Sequence, residues 1–181
     1  DRDVLYYTTP GRDGLTIHEM VASTRRGRTV GSVPGARFGE LADFEPLQGG
    51  GFAWLRQRDP LVYYQLPGDT TRQLDVPNTS ITFTNSAPGG FGLALAGYSL
   101  PGGDTLRIWV ADLRTRKVRQ VWSGVMENVA VAWMPDGTIY GTLTERQGTR
   151  AGWTIYTDGR PPVRHGLVPF ARATYRITAD G

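Results

Sequence analysis

The chain has 181 residues, of which 39% are hydrophobic and 20% charged, a composition typical of a globular protein. The formal net charge is only +3 and Lys117 is the sole lysine, so the charge gives no basis for nucleic-acid binding. There is no cysteine, which excludes disulfides, a thiol nucleophile and thiolate zinc sites, and no apolar stretch approaches the length of a membrane span.

Short strands separated by turns are predicted along the whole chain. Segments rich in β-branched and aromatic residues occur at Leu5–Thr8, Thr16–Val21, Val62–Leu66, Ile81–Thr84, Leu106–Val110 and Thr154–Tyr156. Turn signals stand between them at Pro67–Asp69, Pro88–Gly90, Pro101–Gly103 and Pro135–Gly137. Because no segment shows a sustained helical period, we expect an all-β fold with essentially no helix.

These strands repeat at a nearly constant interval. One set centres on Ile17, Tyr63, Ile108 and Ile155, with separations of 46, 45 and 47 residues. The strands that follow centre on Val30, Leu74, Val118 and Val163, and those that precede begin near Leu5, Ala53, Leu93 and Ile139. Four strands in a unit of about 45 residues are typical of a β-propeller blade, whereas a sandwich has no reason to repeat at this interval.

The phase of the repeat predicts how the chain is divided. The first strand of each unit centres on Phe38, Phe83 and Val131, and the next repeat falls on Tyr175–Ile177. The sequence therefore predicts a single propeller domain over 1–181, with units at about 1–35, 36–78, 79–124 and 125–167. Residues 168–181 would supply the closing strand of the first blade and so remove an exposed sheet edge. A ring of four blades and part of a larger propeller both satisfy this pattern.

Two stretches resemble the TolB-like, WD40-like repeat of bacterial β-propellers. Ala130–Tyr140 is similar to its aromatic residue, Pro-Asp-Gly turn and returning strand, and Asp104–Leu113 to its third strand with an acidic turn. Gly152–Gly159 is a weaker copy of the Asp104–Leu113 stretch, and the resemblance is faint over residues 1–78. In the turn, Pro135 fixes φ, Asp136 can accept hydrogen bonds and Gly137 permits a positive φ.

The resemblance implies a scaffold with several uses, which include protein binding, lids on peptidases and sugar-active enzymes. With the missing initial methionine, it also predicts export across a bacterial inner membrane, to a periplasmic or extracytoplasmic location.

Candidate catalytic groups are few. His18 and Glu19 are neighbours in a strand and must point to opposite faces, and His165 with Asp158 lacks a third partner. The carboxylate pairs Asp1/Asp3 and Asp43/Glu45, and Asp112 in its turn, are the candidates for a calcium loop or a glycosidase pair. Since ordinary turn chemistry explains them equally well, we expect no enzyme activity, no cofactor and no metal. Gly49–Gly51 has no following helix and predicts a tight turn, not a phosphate loop.

The large number of aromatic residues favours a binding function. Five tryptophans and eight tyrosines exceed what a small core needs, and Trp, Tyr and Arg are typical anchors of protein interfaces. By position, the candidate partner-binding residues are Tyr98, Trp122, Trp153, Arg114 and Arg119. The leading hypothesis is a non-enzymatic scaffold or accessory subunit of a membrane-associated bacterial complex, with a protein partner and no nucleic acid. The alternatives are a carbohydrate- or small-ligand-binding propeller, including a glycoside-active enzyme, and the propeller part of a larger hydrolase.

Overall fold

The computed structural model describes residues 3–57, 59–101, 103–145 and 148–167, without the side chains of Asp59 and Pro60. These residues form antiparallel sheets and no helix, which confirms the prediction of an all-β fold. Within them, nothing helical is available that could cross a membrane. The predicted closing strand at Tyr175–Ile177 lies outside the described residues. The chain divides into two compact units, Asp1–Ala42 and Asp43–Gly181.

The first unit contains one three-stranded sheet, blade 1. Its strands are β1 (Val4–Pro10), β2 (Gly14–Val21) and β3 (Arg26–Pro34), in the order β1-β2-β3. Leu15 and Ile17 of β2 are buried and separated by one residue, as expected where alternate side chains of a strand share a face.

The second unit contains three four-stranded sheets whose strands lie in sequence order. Blade 2 consists of β4 (Leu41–Pro46), which begins just before the boundary, β5 (Phe52–Arg56), β6 (Asp59–Gln65) and β7 (Arg72–Leu74). Blade 3 consists of β8 (Thr79–Ser86), β9 (Gly92–Ser99), β10 (Thr105–Asp112) and β11 (Lys117–Val125). Blade 4 consists of β12 (Asn128–Trp133), β13 (Ile139–Thr144), β14 (Arg150–Ile155) and β15 (Val163–Leu167).

Two apolar layers hold these three blades together. Alternate residues of β10 divide between them, because successive side chains of a strand point to opposite faces. Trp109 and Ala111 pack in the layer shared with blade 2, and Leu106 and Ile108 pack in the layer shared with blade 4. Blade 3 is thus apolar on both faces, as stacked propeller blades require.

The observed strands agree with the predicted repeat except at one position. Phe38 was predicted to centre the first strand of a unit, and this is wrong: the strand begins at Leu41, and the Phe38 side chain is 75% exposed. Gly35 and Gly39 have φ of 68° and 86° and place Phe38 in a turn. The true strand was missed because its alternate residues, Asp43 and Glu45, are acidic and give no apolar signal.

The triple glycine forms the tight turn between β4 and β5, as the sequence predicted. Gly51 has φ of 84°, and a Cβ there would lie 2.1 Å from the carbonyl oxygen of Gln65. Gly68, in the β6–β7 turn, has a similar φ of 78° but open space around its Cα. The two positions therefore separate the effect of backbone strain from the effect of a steric clash.

Gly51→Ala is expected to lower the free energy of unfolding by more than about 2 kcal/mol, because left-handed strain alone costs roughly 1–2 kcal/mol. Gly68→Ala is the matched control and should show the strain alone. Urea unfolding followed by circular dichroism measures both variants. Equal losses would show that the loop at Gly51 shifts freely away from Gln65.

Candidate functional site: a groove between blades 3 and 4

The first strands of adjacent blades are joined by side chains that bind neighbouring backbone. Asp43 Oδ2 accepts hydrogen bonds from Thr84 N at 2.7 Å and from Thr84 Oγ1 at 2.8 Å. Glu45 Oε1 accepts one from Ser86 N at 2.6 Å. In the same way Asn85 Oδ1, on β8, accepts one from the backbone N–H of β12 residue Trp133 at 2.7 Å. These side chains satisfy N–H groups along the free edges of β8 and β12.

A surface groove of about 490 Å³ lies between blades 3 and 4. It opens at the end of the sheets that carries the β8–β9, β10–β11 and β14–β15 turns. Its lining combines small and aromatic residues with charged ones: Ala87, Gly89, Phe91, Gly92, Val110, Ala111, Asp112, Arg114, Lys117, Arg119, Trp133 and Thr157. Of its apolar lining residues, Val110 and Trp133 pack against the layer shared by blades 3 and 4. Phe91 and Ala111 pack in the layer shared by blades 2 and 3.

Phe91 forms part of the floor and is fixed from two sides. Its carbonyl accepts a hydrogen bond from Leu113 N at 3.0 Å, and the preceding carbonyl, of Gly90, accepts one from Gly49 N at 2.7 Å. A Cβ on Gly49 would lie 2.7 Å from the Phe91 ring, so only glycine allows this approach. The guanidinium carbon of Arg114 lies 4.1 Å from the centroid of the Phe91 ring, a cation–π contact that holds Arg114 at the rim.

Trp133 and Thr157 supply the side of the groove that belongs to blade 4. Trp133 lies over Gly92, where an added Cβ would approach its ring to 3.5 Å. The Pro-Asp-Gly turn fixes Thr157, because Thr157 Oγ1 donates to the carbonyl of Gly137 at 3.0 Å. The Thr157 carbonyl in turn accepts a hydrogen bond from Arg119 Nη2, which bridges the two blades.

The Pro-Asp-Gly turn has the chemistry predicted from the sequence. Asp136 Oδ1 accepts from Thr138 Oγ1 at 2.7 Å and from Thr138 N at 2.9 Å, and Gly137 has φ of 83°. These hydrogen bonds, the side-chain one first, lower the pKa of the Asp136 carboxyl.

The one carboxylate among the lining residues is committed to a turn. Asp112 Oδ1 accepts hydrogen bonds from the backbone N–H groups of Arg114 at 2.9 Å and Thr115 at 3.2 Å. These bonds, chiefly the one from Thr115, lower the pKa of the Asp112 carboxyl, so it stays ionised across the physiological range. Around it stand the exposed cations Arg114, Lys117 and Arg119.

The predicted partner-binding residues fall into two groups. Arg114 and Arg119 are exposed and line the groove. Trp122 is only 9% exposed and packs edge-on to Trp153, with ring centroids 5.9 Å apart, inside the layer between blades 3 and 4. Tyr98 and Trp153 are half-buried against the same layer, and burial of Tyr98 together with the nearby Glu127 raises the pKa of its phenol. The structure therefore places these three aromatics in the packing between blades and not in the groove.

Phe91 and Trp133 are the groove aromatics, and sequence reasoning missed both as binding candidates. Phe91 stands in a Gly-rich turn, and Trp133 is the aromatic residue of the stretch that resembles the TolB-like repeat. The available signal was their position: each lies within two residues of a turn on the end of the sheet where Arg114 and Arg119 also lie.

The two histidines are placed in separate polar surroundings. His18 stacks on Tyr7 with centroids 4.9 Å apart, while Glu19 accepts from Tyr6 on the opposite face, which confirms that the pair cannot act together. His165 Nε2 lies 2.8 Å from Thr154 Oγ1.

Three other acidic candidates serve the turns and the neighbouring blade, whereas Asp1 of the pair Asp1/Asp3 lies outside the described residues. Asp158 pairs with Arg160 Nε at 2.8 Å, and hydrogen bonds from Arg160, its backbone N–H first, lower the pKa of the carboxyl. Asp43 and Glu45 bind the β8 backbone, as described above. Over the part of the chain that the structure describes, no cluster of three or more His, Asp or Glu side chains is arranged to hold a metal ion.

Comparison with known proteins rests on structure alone. No protein-family model matches the sequence. No curated protein matches it either.

Solved structures match over most of the chain at low sequence identity. TolB from Acinetobacter baumannii has a TM-score of 0.61 at 15% identity, covering 89% of this chain and 41% of its own. An oligogalacturonate lyase in complex with manganese also has a TM-score of 0.61, at 13% identity, covering 91% and 44%. One of two prolyl endopeptidases has a TM-score of 0.54 at 14% identity, covering 90% and 24%.

The chain thus spans less than half the length of each of these three structures. At such identities the likeness concerns architecture and not activity. The repeating four-stranded sheets, the two apolar layers between blades and these matches together establish that the chain has the β-propeller fold of TolB-like proteins.

Proposed function

We propose that this propeller is a non-enzymatic protein-binding scaffold or accessory subunit, and that it docks its partner in the groove between blades 3 and 4. The observation that carries the proposal is the composition of that groove. The groove combines Trp133 and Phe91 with Arg114 and Arg119, and tryptophan and arginine are among the residue types that most often anchor protein interfaces. Hydrogen bonds hold the backbone of Phe91 and the side chain of Thr157 in place, so these two lining residues need little ordering on binding.

The use of the polar groups supports binding over catalysis. Four of the acidic candidates accept hydrogen bonds from neighbouring backbone or pair with arginine: Asp43, Glu45, Asp112 and Asp158. A general acid or base needs a carboxyl that faces substrate and has a pKa near the working pH. The pKa of Asp112 and of Asp158 is instead lowered by turn hydrogen bonds.

We further propose that the chain works outside the bacterial cytoplasm as part of a membrane-associated complex. The resemblance of Ala130–Tyr140 and Asp104–Leu113 to TolB-like repeats supports this setting. Fractionation of the native cells, with antibody detection of the chain, tests it. Recovery in the cytoplasmic fraction would refute this part of the proposal.

Site-specific photo-crosslinking tests the docking function. A photoreactive phenylalanine is placed at Lys117 in the groove, or at Arg26 on the exposed β2–β3 side of blade 1 as a control. We expect a defined protein to crosslink from Lys117 and not from Arg26, and the purified partner to bind the unmodified chain. Turnover of oligogalacturonate or a peptide by the purified chain, abolished by groove substitutions, would overturn the proposal in favour of an enzyme.

A further inference from the structure

We infer that the groove between blades 3 and 4 takes an extended acidic segment of a partner protein, with alternating carboxylate and apolar side chains. The inference rests on the proposed function and specifies the chemistry of its partner. Four observations support it: the charges that line the groove, the N–H donors that the two arginines keep available, the apolar lining residues, and the spacing of the cations.

The charges in the groove are unbalanced. Arg114, Lys117 and Arg119 are exposed at its rim, whereas Asp112 is the one carboxylate among the lining residues and its Oδ1 is used by the turn. Asp158, in the β14–β15 turn beyond Thr157, is paired with Arg160. The groove thus presents an excess of positive charge to an incoming chain, which favours a negatively charged occupant.

The two arginines keep donors that a carboxylate can use. A guanidinium carries five N–H donors in one plane. Stacking on Phe91 occupies a face of Arg114 and leaves its edge donors available, and the bond to Thr157 uses one donor of Arg119. Both groups are held in place before a ligand arrives, which is the arrangement that favours bidentate carboxylate recognition.

The spacing of the cations and the apolar lining residues together suit a peptide in an extended conformation. Lys117 and Arg119 are two residues apart on β11, so their side chains share a face at a spacing of about 6.8 Å. Alternate side chains of an extended ligand have that same spacing. Val110, Phe91 and Trp133 offer half-buried apolar surface for the intervening residues. A free anion would use the cations but leave this apolar surface unused.

Fluorescence anisotropy with labelled peptides tests the inference on the whole chain. The probe alternates Glu and Leu, and matched peptides carry Gln or Lys in place of Glu. We expect the Glu peptide to bind most tightly, with an affinity that falls as salt rises, since rim charges are screened. The double variant Lys117→Glu/Arg119→Glu should weaken it by about tenfold or more, a loss typical of reversing two exposed charges.

The control variant is Arg25→Glu/Arg26→Glu on blade 1, which changes the net charge by the same amount and should leave binding within about twofold. The milder pair Lys117→Gln/Arg119→Gln guards against misfolding and should give an intermediate loss. Equal binding of the Gln and Glu peptides would refute the inference while leaving protein docking in place. Binding of oligogalacturonate in the groove with none of the peptides would refute the inference and the proposed function together.

Discussion

Replacing Trp122 by alanine is expected to lower the free energy of unfolding by about 3–5 kcal/mol, the range for deleting a large buried aromatic side chain. The indole is 9% exposed and packs among Leu106, Ile108 and Trp153 in the layer between blades 3 and 4. Its ring also lies across Gly124, where a Cβ would come within 2.6 Å of it. The cavity left by alanine would therefore lie between two blades, and neither blade can fill it without moving its strands.

Urea unfolding followed by far-ultraviolet circular dichroism measures this loss, with Trp122→Phe as the control. Phenylalanine keeps most of the ring contact with Trp153 and should lose less than half as much stability, in line with the lower cost of smaller volume changes. The folded fraction of Trp122→Ala should still bind the acidic peptide. A variant of near-normal stability that has lost peptide binding would instead make Trp122 a contact residue, as the sequence alone suggested.

The repeat was predictable because buried residues determine it. Ile17, Ile108 and Ile155 are fully or almost fully buried, and their spacing carries the blade period directly. The first strand of blade 2 was misplaced because its alternate positions hold Asp43 and Glu45, whose function is to bind backbone of β8. The residues next to an acidic side chain in the sequence do not show whether it binds a neighbouring strand, lies in a loop or belongs to an active site. Only the position of the neighbouring strand distinguishes them.

The candidate site was predictable only in part, for a related reason. Arg114 and Arg119 were found because charge next to a turn signal predicts exposure, and they line the groove. For an aromatic residue in a strand, the sequence does not say whether the face it occupies is covered by another blade. Trp122 and Trp133 lie in the same layer between blades, and only Trp133 is near enough to the turns to reach the groove. Whether such an aromatic side chain lies in the groove or in the buried layer therefore depends on how far along its strand it is from the turns.

Asp43 provides a second large effect, because one carboxylate joins two blades. Its oxygens accept hydrogen bonds from Thr84 N, Thr84 Oγ1 and Phe44 N, at distances of 2.7 to 2.9 Å. Asp43→Ala removes all three acceptor contacts and leaves N–H groups at the strand edge without their partner. Hydrogen bonds to charged groups contribute about 1.5–3 kcal/mol each but are not additive, so we expect a loss of about 2–4 kcal/mol in the free energy of unfolding.

The matched control is Asp69→Ala, which removes an exposed carboxylate paired with Arg72 at 3.2 Å. Such a surface pair contributes less than about 1 kcal/mol. Asp43→Asn keeps an acceptor oxygen of the same shape and should fall between the two variants in thermal and urea unfolding. If Asp43 were a catalytic carboxylate, Asp43→Asn would unfold like the unmodified chain and lose turnover of a sugar substrate instead. Stability, and not activity, is the property that this carboxylate is expected to control, because the hydrogen bonds it accepts join the first strands of blades 2 and 3.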